Sequence, residues 1–164
     1  MKFKKLIAKS AIAYLLLLIS SAAMAIDCEG GVILDTTVDS IEISGQPCII
    51  IDVRVLNRVE VINSPSFMMI ESNVGSRLRV RNSGLVGIVN TRVTNGNLVV
   101  RTSDLVAVKD NDVKDGSIRI NGNIEATVNR NDAQLNIECI NNTDLDSAFN
   151  HADLGEVNCV DRFL

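Results

Sequence analysis

The residues best suited to chemistry in this chain are arginines. Arg79, Arg81, Arg101 and Arg119 alternate with apolar residues in three short segments, and Arg77 stands just before the first of them. A guanidinium group is a planar fork of donors that matches carboxylate and phosphate oxygens. Such a group points to an anionic ligand: an acidic polysaccharide, a phosphate of the cell envelope, or an acidic protein partner. The competing reading is a solvated face whose charges are relieved by Glu60 and Glu138 nearby.

The other candidates are weaker. Met68, Val86 and Val106 form an apolar series that predicts a partner-binding stripe, unless a terminal segment such as residues 143–164 covers it. Asp110-Asn111-Asp112 begins like a calcium loop, but Lys114 takes the fifth position, the glycine is one place late, and Asn121 stands where glutamate should be. The chain has a single histidine, His151, with Asp144, Asp146, Ser147 and Asp153 around it in sequence. No nucleophile elbow or oxyanion motif frames them, so the histidine reads as a surface residue of a capping segment. No catalytic residue, no metal ligand and no cofactor is assigned.

The elements that must position these residues show as a repeat. Short alternating segments begin at Ile41, Val59, Leu78, Leu98, Ile118 and Leu135, 17 to 20 residues apart. A period in this range predicts stacked coils, each resting on its neighbours. Aligning residues 78–97 with 98–117 pairs Leu78 with Leu98, Val80 with Val100, Leu85 with Leu105, Ile88 with Val108 and Val93 with Val113. The first pairs alternate with polar residues, as a strand with one buried face does. The next form a short apolar run, and the last is a lone valine before Asn95-Gly96 or Asp115-Gly116, which is turn chemistry. The layout is three short strands and three bends per coil, in about six coils of about 20 residues. Stacked Asn63, Asn82 and Thr102, and Asn90 with Asp110, are expected to bond along the axis as ladders. A small antiparallel sandwich is the structural rival.

The four cysteines support the coils. Cys28 and Cys48 are 20 residues apart, as are Cys139 and Cys159, one period in each case. Residues one coil apart stack about 4.8 Å from each other, within reach of a disulfide. Of three possible connectivities, the period selects Cys28–Cys48 and Cys139–Cys159.

Residues 1–25 read as a secretory signal peptide rather than as fold. Lys2, Lys4, Lys5 and Lys9 precede an apolar run from Ala11 to Ile19, and Ala23-Met24-Ala25 is a small-x-small cleavage site. The domain is then 26–164. Without the four lysines, twelve basic residues face twenty acidic ones, a balance of −8. That balance, with 3% aromatic residues, argues against nucleic acid. Seven arginines and only two acids lie in residues 54–101, between acidic ends. No transmembrane anchor is expected after cleavage, and the compartment is the periplasm, the cell surface or the medium.

The repeat resembles the right-handed parallel β-helix superfamily, to which pectate lyases and many phage and surface proteins belong. The likeness is one of architecture; it implies an all-β single-stranded solenoid and carries over no functional residue. The expected function is non-catalytic: an exported solenoid at the bacterial envelope that binds an anionic glycan, another envelope component or a protein, with self-association open. The alternatives are a lyase-like enzyme acting on polysaccharide and a self-assembling fibre subunit.

Overall fold

A computed structural model describes residues 25, 26, 28 and 31–159. Residues 1–24, most of the expected signal peptide, lie outside the described residues. The described chain is a parallel β-solenoid of about seven turns, each about 19 residues long, with no helix. Its architecture is that of a parallel β-helix.

Each turn places one strand in a first sheet. That sheet stacks eight strands in order: Ala25–Ile26, Ser40–Ser44, Val59–Ile62, Leu78–Arg81, Leu98–Arg101, Ile118–Asn121, Ile137–Ile140 and Val157–Asn158. The second strand of each turn is Ser66–Ile70, Leu85–Val89, Leu105–Lys109, Glu125–Asn129 or Asp144–Ala148. The third is the two-residue Asn73–Val74, Arg92–Val93, Asp112–Val113, Asp132–Ala133 or His151–Ala152. Near the amino-terminal end one long strand, Cys48–Val55, pairs with both Ser66–Ile70 and Asn73–Val74. It joins the second and third faces into one twelve-stranded sheet, with Val32–Val38 paired beneath it.

The core follows from alternation. Leu78, Leu98, Ile118 and Ile137 form one inward column, and Val80, Val100, Ile120 and Cys139 the next. Phe67, Val86, Val106 and Ala126 form a third, and Val74, Val93, Val113 and Ala133 a fourth. β-branched residues suit such columns because they pack well on a pleated surface. The register of the coils beginning at residues 78 and 98 is the one their alignment predicts.

Four expectations need correction. The end segments extend the stack, which gives about seven turns where the repeat predicts about six. Leu135 does not begin the last repeat: Ile137 pairs with Ile118 and Cys139 with Ile120, while Leu135 is exposed. A shift of two residues keeps every side chain on its own face, so alternation cannot detect it. Asp144–Ala148 and His151–Ala152 extend the sheets and do not cover an apolar stripe.

The polar ladders also differ. Asn63, Asn82 and Thr102 take positive φ at the first bend, with Gly45, Gly122 and Asn141 in the same column. Left-handed backbone favours glycine and asparagine, which explains the column's composition. The ladders belong to the residues that follow, which turn inward. Ser83 N–H donates to Ser103 Oγ at 3.3 Å, and Ser103 N–H to Asn123 Oδ1 at 2.9 Å. At the second bend Thr91 N–H donates to Asn111 Oδ1 at 3.0 Å, Asn111 Nδ2 to Asn131 Oδ1 at 2.9 Å, and Asn131 Nδ2 to Asn150 Oδ1 at 3.0 Å.

Two disulfides, Cys28–Cys48 and Cys139–Cys159, lie near the ends with Cα separations of 5.9 and 4.5 Å. They fit a chain that folds in an oxidising compartment. Among the described residues no helix is long and apolar enough to cross a membrane.

Candidate functional site

The arginines stand on the outer face of the first sheet because their neighbours point inward. Leu78, Val80, Leu98 and Val100 are buried, so Arg79, Arg81 and Arg101 face out. Arg81 and Arg101 are direct neighbours in the ladder. Parallel strands stack about 4.8 Å apart, so the two guanidinium stems share one column. Arg79 and Arg119 share the adjacent column but are not neighbours, since Val99 lies between them. Val99 points outward and is still 6% exposed, as a valine would be between two long aliphatic stems.

Glu60 is the hub of the group. Its Oε1 accepts from Arg81 Nη2 at 3.0 Å and lies 3.8 Å from Arg79 Nη1, while its Oε2 is 4.0 Å from Arg77 Nη2. Arg101 has no carboxylate partner among the described residues. Arg77, Arg79 and Arg81 therefore share one carboxylate, and Arg101 stands beside Arg81 with none, leaving three positive charges unbalanced. Desolvation lowers the Arg79 pKa, and the charges of Arg77, Arg81 and Arg101 lower it further against the opposing pull of Glu60. It stays protonated, since arginine titrates far above neutral pH. The Arg81 Nε is buried and makes no hydrogen bond.

Arg119 belongs to a separate pair. Its Nε is 3.3 Å from Glu138 Oε2, without the alignment of a hydrogen bond. The five arginines expected to act together thus divide into a group of four with excess charge and one that is balanced.

The expected apolar stripe is divided by the alternation. Met68 faces outward, its side chain lying across Gly87. Val86 and Val106 point into the core, 1% and 4% exposed, in the column of Phe67. An outward apolar surface does exist, made of other residues: Val32, Leu34, Ile49, Leu85 and Leu105 are exposed around Met68 and Ile70 on the second face. Towards the carboxyl end the same columns turn polar, with Glu125, Thr127, Asp144 and Asp146.

An open groove of about 360 Å³ runs along the second bend, lined by Asp52, Glu71, Asn90, Arg92, Asp110 and Asp112. Two of its four acids, Asp110 and Asp112, are ion-paired. Asp110 accepts from Arg130 Nε and Nη2 at 2.6 and 2.8 Å, and that bond, with the Arg130 charge, holds its carboxyl below the usual range. Asp112 accepts from Arg92 Nε at 3.0 Å and lies 2.9 Å from Lys114 Nζ.

One cluster was missed by reading along the sequence. His151 Nδ1 lies 3.3 Å from Asp132 Oδ1 and 3.4 Å from Asp153 Oδ1. Asp132 comes 19 residues before His151 and becomes its neighbour only by stacking. The signal was the repeat itself, applied to the third strand of each turn.

No family model, curated protein or solved structure matches the chain.

Proposed function

We propose that the protein is a non-catalytic, exported binding module whose first sheet holds a polyanion, an acidic glycan or a phosphate-bearing envelope component. The observation that supports this reading most is a group of four arginines of which three share the single carboxylate of Glu60 and Arg101, beside Arg81, has none. Like charges in adjacent ladder positions are unfavourable for folding alone, and an anion laid across Arg81 and Arg101 would relieve them. Binding rather than catalysis is favoured because two of the four groove acids, Asp110 and Asp112, are already ion-paired. Asp110, held ionised below the usual carboxylate range by Arg130, is a poor general acid at neutral pH.

The test is Arg81→Ala with Arg101→Ala, followed by thermal melting and binding to an acidic polysaccharide and to lipopolysaccharide. Binding should fall at least about tenfold, corresponding to some 1.4 kcal/mol, and melting should be unchanged or slightly higher. A much lower melting temperature with unchanged binding would make the arginines structural.

A second reading, contact with another protein or a second copy, is favoured by the exposed apolar half of the second face. Sedimentation at rising concentration separates the two, because polyanion capture requires no self-association.

A further inference from the structure

We infer that Asp132, His151 and Asp153 form a binding site for a divalent transition-metal ion of the zinc class. The three residues each present a ligand atom, and these atoms lie within 4.8 Å of one another. The fold makes this trio without a loop. His151 and Asp132 are direct partners in the parallel ladder of the third face. Asp153 follows His151 at the next outward position, its N–H bonded to Ala133 O at 3.0 Å, so it continues the same rung. Side chains two apart on one strand and one across on the next therefore meet at a point.

The separations suit a metal. Two bonds of about 2.1 Å meeting at a tetrahedral angle hold their donor atoms about 3.4 Å apart. His151 Nδ1 is 3.3 Å from one carboxylate oxygen and 3.4 Å from the other. All three side chains are about half exposed or more, so small rotations can bring the carboxylates to a common centre.

The surroundings leave the site open for a cation. Lys114 and Arg92, the nearest basic residues on the third face, are held by Asp112 one rung below, at 2.9 and 3.0 Å. Asp132 and Asp153 have no lysine or arginine partner among the described residues. Lys114 titrates higher than usual, chiefly through its bond to Asp112 and then that charge, with Asp132 and Asp153 adding to the effect. The local field is negative.

Ligand type selects the ion. One imidazole nitrogen with two carboxylates suits Zn²⁺, Ni²⁺ or Cu²⁺, whereas Ca²⁺ and Mg²⁺ prefer an all-oxygen shell. Three protein donors leave at least one coordination position to solvent or to an anionic group of a partner. The ion would also tie the last turn to the one before it, on the same end as Cys139–Cys159.

The chain suits a direct test. It has one histidine, and every cysteine is in a disulfide, so neither a second imidazole nor a thiolate competes. Untagged protein would be titrated with Zn²⁺ near neutral pH while the single imidazole is followed by NMR, with Ca²⁺ as control. Zn²⁺ should move or broaden the imidazole signals saturably and raise the melting temperature, since it binds only the native state. His151→Ala and Asp132→Asn, both surface changes, should each weaken binding about tenfold or more while retaining the fold. If Zn²⁺ leaves the imidazole unmoved, the trio is a hydrogen-bonded surface cluster and no more. Equal Zn²⁺ affinity in His151→Ala, or an equal imidazole response to Ca²⁺, would also overturn the site.

Discussion

Thr102 departs from the pattern of its column. Gly45, Asn63, Asn82, Gly122 and Asn141 share its bend, all with positive φ, and Thr102 has φ of 54°. A left-handed residue with a Cβ loses roughly 1–2 kcal/mol, and branching at Cβ adds crowding. The side chain is exposed, so little packing offsets the loss. Thr102→Gly should raise stability by about 1 kcal/mol, seen as a higher denaturation midpoint at constant slope. A fall would show that the hydroxyl has a partner worth more than the strain. The same scale accounts for the arginines. Their outward direction follows from alternation alone, but the role of Glu60 does not, because three ion pairs on one carboxylate depend on how long side chains bend.

Asn131 belongs to the element rather than to any one turn. It is 1% exposed and serves both neighbours, accepting from Asn111 N–H at 3.1 Å on the turn before and donating to Asn150 Oδ1 at 3.0 Å on the turn after, with a further bond to Val108 O at 2.8 Å. Removing it orphans buried groups of the preceding turn, at Asn111 and Val108. Asn131→Ala should therefore cost about 3 kcal/mol, at one to three for each unsatisfied group. Thermal or urea unfolding would measure this, and a loss below about 0.5 kcal/mol would mean that water replaces the side chain. The ladder also shows where sequence reading stops. Stacking was legible because Leu78/Leu98 and Val80/Val100 repeat without ambiguity. The ladder was placed one residue early, since asparagine suits both a left-handed bend and an inward hydrogen bond, and composition does not separate them. The slip at Leu135 has the same origin: a two-residue shift preserves facing and changes only the length of the bend before it.

For the whole molecule, stacking turns a linear distribution of charge into a three-dimensional one. Four of the seven arginines of residues 54–101, Arg77, Arg79, Arg81 and Arg101, gather at the middle of the first sheet, while acids concentrate towards the ends. The two disulfides close a loop of one turn near each end, and each constrains the unfolded chain by a few kcal/mol. Fold and pairing were readable from the period. The Asp132–His151–Asp153 cluster was not, because its members are joined by register and not by a local motif. The excess charge beside Glu60 is the central claim, and it gives a prediction of definite sign. Glu60→Gln removes the carboxylate that Arg77, Arg79 and Arg81 share, at nearly constant shape. The direct measurement is affinity for an acidic polysaccharide against salt, wild type beside Glu60→Gln. The variant should melt lower yet bind several-fold more tightly, with the gain fading as salt rises and the Debye length shrinks to about 3 Å at 1 M. Equal or weaker binding by a folded Glu60→Gln protein would contradict the account, because the arginine face would then not be what holds the anion.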